Sequence, residues 1–197
     1  MLEPLYQVET KIMTLGRTKV DSPILKRKED SRHFVEENNH ILVNVTKEYI
    51  EQCIKDNKPF ITFELAGPRR HIYFDPAKLK CGIVTCGGLC PGINDVIRAL
   101  VMELYHIYGV KNSYGFRYGL QGFIASYGHE LIELTPSSVA SIHELGGTIL
   151  GTSRGPQDIG EIADTLDRLN IGILFMIGGD GTLRAAAKIS EEILSRG

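Results

Sequence analysis

The sequence has no tryptophan, and its four cysteines build no disulfide or metal framework. Cys81, Cys86 and Cys90 lie close together, but no histidine stands where a zinc set would need its fourth ligand. They read instead as small core or turn residues in a reduced state. No apolar run approaches the roughly 20 residues a membrane-crossing helix requires. Glu3, Glu9, Lys11 and Arg17 interrupt the N-terminus where a secretory signal would need an unbroken apolar core. Charge of one sign is also missing. A net charge of −2 supplies no field for nucleic acid or an anionic membrane, so neither is expected as a partner. Together these absences lead us to expect a cytoplasmic globular protein.

What is present suits one sizeable core: 197 residues, 43% of them hydrophobic and 23% charged. Residues 1–80 hold 14 Lys and Arg against 12 Asp and Glu, whereas residues 81–197 hold 8 against 12. A polyphosphate ligand in the second part would therefore need a few placed cations and a metal.

Residues 1–79 read as a small strand-rich N-terminal extension. Leu2, Leu5, Tyr6 and Val8 form a short apolar patch, and Lys26 to Asp30 is a mixed-sign run typical of a solvated surface. Ile41 to Val45 is strand-like, Thr46 can cap a short helix carrying Tyr49, Ile50, Cys53 and Ile54, and Pro59 breaks it. Phe60 to Leu65 alternates, and a turn with Arg69 and Arg70 leads to Ile72, Tyr73 and Phe74. Turn arginines of this kind usually face water.

From Lys80 the texture becomes alternating strand and helix, the pattern of a three-layer, open, mostly parallel α/β sheet with helices on both faces. Cys81 to Cys86 is a buried type of strand, followed by the loop Gly87 to Gly92. A helix from near Asn94 carries Ile97, Leu100, Val101, Leu104 and Tyr108 on one stripe and stops at Gly109. Strands are expected over Ser113 to Phe116 and within His129 to Leu134. A short helix should start near Thr135 and end at Gly146, with Thr148 to Leu150 a brief strand. A further helix places Ile159, Ile162, Ala163, Leu166 and Leu169 on one face and stops at Asn170.

The chain then reaches Ile173 to Ile177, five apolar residues that read as a strand buried on both faces, and the turn Gly178-Gly179-Asp180-Gly181-Thr182. Glycines let the backbone approach a ligand, and the amides opening the next helix attract anions. Asp180 among them serves no core purpose and suits a divalent cation shared with phosphate oxygens. Arg154, in a loop of Gly, Thr and Ser, is placed at the same sheet edge to pair with an anion. Gly87-Gly88 alone is weaker, because it lacks both the Gly-Lys-Ser/Thr ending of a P-loop and the spacing of a dinucleotide fold. Asp95 is read as supporting its helix dipole, and the histidines as surface or core residues.

TCGGLCPGIND (Thr85 to Asp95), GGTILGTSRG (Gly146 to Gly155) and IGGDGT (Ile177 to Thr182) together resemble the phosphofructokinase family. AGPRRHIYFDP (Ala66 to Pro76) is similar to the branch holding plant-type and trypanosomatid ATP-dependent enzymes. The resemblance implies transfer of the ATP γ-phosphoryl group to the 1-hydroxyl of fructose 6-phosphate with Mg2+. It places Gly87, Arg154, Gly155, Gly179, Asp180, Gly181 and Thr182 on the nucleotide, with Asp180 also on the metal. It further implies a homo-oligomer at full length.

Pyrophosphate-dependent relatives usually carry a second Asp where this chain has Gly181, so the resemblance favours ATP. Leu120 stands where many relatives place an aromatic near the nucleotide. Family members continue beyond the point equivalent to Gly197 into a Thr-Ile-Asp-x-Asp motif holding the catalytic base. The resemblance thus implies an N-terminal portion, inactive alone, with the base beyond Gly197. Two other readings of the turn at Asp180 are an NAD-kinase type of Gly-Gly-Asp-Gly-Thr enzyme and a non-catalytic nucleotide-binding module.

Overall fold

The computed structural model describes residues 10–26 and 34–197. The apolar patch Leu2 to Val8 and the charged residues Arg27 to Asp30 lie outside the described residues. The chain divides into two compact units, Met1–Tyr73 and Phe74–Gly197.

In the first unit, β1 (Val20–Asp21) pairs antiparallel with β4 (His71–Ile72), and β2 (His40–Leu42) with β3 (Thr62–Glu64). α1 (Lys47–Lys55) follows the extended Thr46, as the capping pattern predicts, although the Thr46 side chain makes no capping hydrogen bond. Tyr49 and Cys53, one turn apart on α1, are buried. The Tyr49 hydroxyl accepts from the Ile61 amide at 2.9 Å, which ties the helix to the segment entering β3. Arg69 is engaged within this unit: it pairs with Glu64 at 2.8 Å and donates to the carbonyls of Leu65 and Glu36.

The second unit is an α/β sheet in the order β7-β6-β5-β8. β5 (Lys80–Thr85) lies between β6 (Asn112–Phe116) and β8 (Ile173–Ile177), parallel to both, while the short β7 (Ile132–Glu133) joins β6 antiparallel. Alternation along the strands divides the core in two. Ile83, Phe175 and Ile177 pack on one face with Ile93, Ile97 and Val101 of α2 (Ile93–Met102). Val84, Phe116, Leu174 and Met176 pack on the other face with Ile162 and Leu166 of α3 (Ile159–Leu169) and Ile189 of α4 (Asp180–Ser195). Helices therefore cover both faces of a mostly parallel sheet, as the alternating pattern requires.

Several details differ from expectation. α2 passes into a π-helical turn, Glu103–Tyr108, before Gly109 ends it in the left-handed region. The segment after Thr135 forms turns and one 3-10 turn, Ile142–Glu144, rather than a helix. Thr148 to Leu150 is not a strand. Its polar groups have other partners: the Ile149 amide donates to the buried Asn94 side chain at 2.9 Å, and the Leu150 carbonyl accepts from Tyr118. β8 is half-buried along its length because it is an edge strand among the described residues, with β5 on one side only. Its apolar run signalled two covered faces but carried no information about which edge would be paired. α3 begins where Asp158 accepts from the Glu161 amide at 2.8 Å, a cap not singled out from sequence, and ends with Asn170 in the left-handed region, as the sequence indicates.

Candidate nucleotide site

Parallel pairing puts Thr85 opposite Ile177, so the turns that follow β5 and β8 start side by side. The Cys86 amide donates to the Ile177 carbonyl at 2.8 Å and carries the pairing into both turns. The third loop is pinned to the same edge. Thr85 Oγ1 donates to the Gly151 carbonyl at 2.7 Å and lies 3.0 Å from Thr148 Oγ1, while Thr152 Oγ1 donates to the Gly87 carbonyl at 2.8 Å. Asn94 spans the base of this arrangement, donating to the Leu145 carbonyl and accepting from the Ile149 amide. Loops far apart in the chain are thereby held together by buried hydroxyl and amide groups.

Between them opens a cavity of about 650 Å³. Gly87 and Gly88 form one wall, Ser153 to Gln157 another, and Gly179, Gly181 and Thr182 a third. A Cβ added at Gly87, Gly155, Gly179 or Gly181 would meet no atom within 4 Å, so these glycines leave open space beside the backbone. Gly178 is the opposite case: a Cβ there would collide with Thr182 and stand 2.7 Å from the Cys86 carbonyl oxygen. Within one motif, Gly178 lets two turns close on each other, and Gly179 and Gly181 keep a surface bare.

α4 begins at this bare surface with no side chain capping it, so its first amides and the positive end of its dipole are left for an anion. Asp180 is its first residue and is exposed, and it is not among the residues that line the cavity. Arg154 lines the cavity, as do Arg184 and Lys188 of α4, and among the described residues none of the three has a hydrogen bond or ion pair. Leu120, Pro156, Ile159 and Ala185 supply an apolar section of wall. Cys86 also lines it, with burial pushing its thiol up to about 11, so it remains a neutral group at ordinary pH.

Of the residues singled out from sequence, Gly87, Arg154, Gly155, Gly179, Gly181 and Thr182 meet around this cavity, whereas Asp180, at the start of α4, does not line it. Arg184, Lys188, Gln157 and Ile159 were not foreseen. The helical spacing of Gly181, Arg184, Ala185 and Lys188 on the helix that opens at Asp180 was the available signal. Among the described residues no group of three His, Cys, Asp or Glu side chains is arranged to hold a metal by itself.

Residues 80–195 match the family model described as phosphofructokinase. The chain belongs to the phosphofructokinase family. It is 46% identical over 196 residues to the ATP-dependent 6-phosphofructokinase of Amycolatopsis methanolica, a match covering 98% of this chain and 42% of that protein. It is 55% identical over 134 residues to the ATP-dependent 6-phosphofructokinase of Trypanosoma cruzi, covering 68% of this chain and 28% of that one. A solved phosphofructokinase structure from Saccharomyces cerevisiae superposes with a TM-score of 0.51, at 26% identity over 60% of this chain and 16% of its own. The chain thus spans less than half the length of these phosphofructokinases. The likeness to the Amycolatopsis protein also runs through the N-terminal unit, further than the motifs from Ala66 onward had indicated. Membership over residues 80–195 sets aside the NAD-kinase reading of the turn at Asp180.

Proposed function

We propose that this chain supplies the nucleotide half of an ATP-dependent 6-phosphofructokinase, the enzyme that phosphorylates fructose 6-phosphate at its 1-hydroxyl. The observation that carries this reading is the convergence of three unpaired cations, bare glycines and an uncapped helix start on one cavity. Phosphoryl transfer needs little covalent chemistry from the protein; it needs alignment and neutralisation of oxygen charge. The α4 amides and Arg154 hold and orient the phosphates, and the open flank of Gly181 admits a nucleotide chain. The apolar section beyond them takes the nucleoside. This family membership supports the reading, as do the relatives' names.

Mg2+ fits the donor set. It is ordinarily held by one or two carboxylates together with phosphate oxygens, and Asp180 offers one exposed carboxylate beside the phosphate cradle. When bound, the ion neutralises charge on the transferring group. The same reading places the protein in the cytoplasm and, at the length of its relatives, in a homo-oligomer.

Calorimetric titration with ATP tests this, with Mg2+ and with a chelator, on the protein and on Asp180→Asn. Binding strengthened by Mg2+ in the parent and not in the variant is expected. Absence of nucleotide binding, or identical Mg2+ dependence in both, defeats the assignment.

A further inference from the structure

Among the described residues three that are not glycine hold a left-handed backbone: Asn57, Asn170 and Tyr118. Asparagine adopts that region readily, but for a bulky residue it is an outlier that the surroundings must enforce. Tyr118, at φ 57 and ψ 46, stands two residues beyond β6 and does not line the cavity. Its amide donates to the Leu150 carbonyl at 2.8 Å. Its ring lies against the backbone of the next residue, Gly151, where an added Cβ would stand 2.9 Å from Tyr118 Cδ1. The ring is itself held. Arg117 Nη2 donates to the Tyr118 hydroxyl at 3.1 Å, with the guanidinium carbon 5.0 Å from the ring centroid, and the His129 ring lies 4.6 Å away, tilted by 49°.

Gly151 opens the loop that carries Arg154. That loop is fixed one residue at a time: the Gly151 carbonyl accepts from Thr85 Oγ1, and Thr152 Oγ1 donates to the Gly87 carbonyl. Gly119 then packs so close to Ser153 that an added Cβ would stand 3.1 Å from the Ser153 amide nitrogen. Arg154 follows with no hydrogen bond or ion pair among the described residues. The direction of its side chain is therefore set by the loop backbone, and that backbone rests on the turn at Tyr118 and Gly119. A strained residue persists only where its surroundings over-determine it. Relaxing Tyr118 to an ordinary backbone would swing its ring off Gly151 and draw Gly119 away from Ser153.

We propose that Tyr118 is a positioning residue: its ring, clamped by Arg117 and His129, braces Gly151 and so fixes the direction in which Arg154 meets an anionic ligand. The inference rests on the reading of the cavity as a nucleotide site and assigns a role to a side chain outside its wall.

The test measures Mg-ATP dissociation constants on the full chain, on Tyr118→Asn, Tyr118→Phe and Arg154→Gln, and on the double variant joining Tyr118→Asn to Arg154→Gln. Asparagine keeps the left-handed backbone and removes the ring. Tyr118→Asn should weaken Mg-ATP about fivefold, within the range of coupling between neighbouring residues. Its thermal midpoint, read by circular dichroism, should stay near the parent's, because Tyr118 is 37% exposed. In the Arg154→Gln background the same substitution should change affinity no further, since the residue it positions is gone. Tyr118→Phe keeps the ring and should restore most of the parent's affinity. If Tyr118→Asn lowers the midpoint, Tyr118→His carries the same cycle with a smaller ring that also tolerates the left-handed region. Unchanged affinity in the Tyr118 variant, or an equal loss with and without Arg154, overturns this inference and leaves the nucleotide site standing. A parent that binds no nucleotide overturns the nucleotide reading and this inference with it.

Discussion

The amide of Cys86 and the carbonyl of Ile177 are 2.8 Å apart, a backbone hydrogen bond that continues the β5–β8 pairing one residue beyond the strands. It locks together two turns that are distant in sequence, so that Gly87 and Gly179 line a single cavity. Stability and ligand binding therefore separate residue by residue along the same short motifs.

Gly178→Ala and Gly181→Asp should show that separation. A methyl at 178 meets Thr182 and the Cys86 carbonyl, so Gly178→Ala should cost about 1–3 kcal/mol, the usual scale of overpacking. At Gly181 no atom lies within 4 Å of an added Cβ, so Gly181→Asp should leave the denaturation midpoint near that of the parent. It should nevertheless abolish measurable ATP binding, since the new carboxylate occupies and charges the phosphate space. Urea denaturation and calorimetry on both variants measure the two effects.

Arg154→Gln should reduce Mg-ATP affinity about tenfold or more, the scale of one charge-assisted hydrogen bond, while changing stability little. Arg154 has no partner in the described structure, so its removal strands no protein group. A drop in the thermal midpoint with unchanged affinity would contradict the assignment.

Asn94→Ala should behave oppositely. Its buried side chain satisfies the Leu145 carbonyl and the Ile149 amide, and its loss leaves both without a partner at a cost of about 1–3 kcal/mol. Nucleotide affinity should fall as well, because those contacts hold the loop that carries Arg154. Asn94→Asp restores the acceptor for Ile149 but not the donor for Leu145, and should recover only part of the loss.

Alkaline pH should destabilise the second unit. Burial raises Cys81 and Cys86 from 9.0 to about 11, so the unfolded chain releases these protons first as pH rises. Their contribution is fully present below pH 9 and is lost between there and about pH 11. Urea midpoints should fall through that window, and less so in Cys81→Ala. At pH 8 a disulfide reagent should modify the exposed Cys90 well before Cys53, Cys81 or Cys86.

Much of this was legible because it is local. α3 shows its apolar stripe and its Asn170 stop within a short stretch, and neighbouring residues alone decide each of them. The Gly-Gly-Asp-Gly-Thr turn was legible as a bare glycine turn opening a helix for the same reason. Thr148 to Leu150 was misjudged as a strand because Leu150 is buried in the core and Ile149 packs against it, while their amides bond to the Thr148 and Asn94 side chains. That arrangement is set by tertiary contact and leaves no periodic trace.

By itself the sequence determined the alternating strands and helices, the parallel sheet and the small set of glycines, acid and arginine at its edge, since periodicity and turn chemistry act over a few residues. Only the tertiary structure decided that β8 is an edge strand, that Thr85, Thr152 and Asn94 bind three loops into one wall, and that Arg184 and Lys188 face the cavity. Those outcomes depend on which strands become neighbours, and neighbourhood in space is settled by packing over the whole unit.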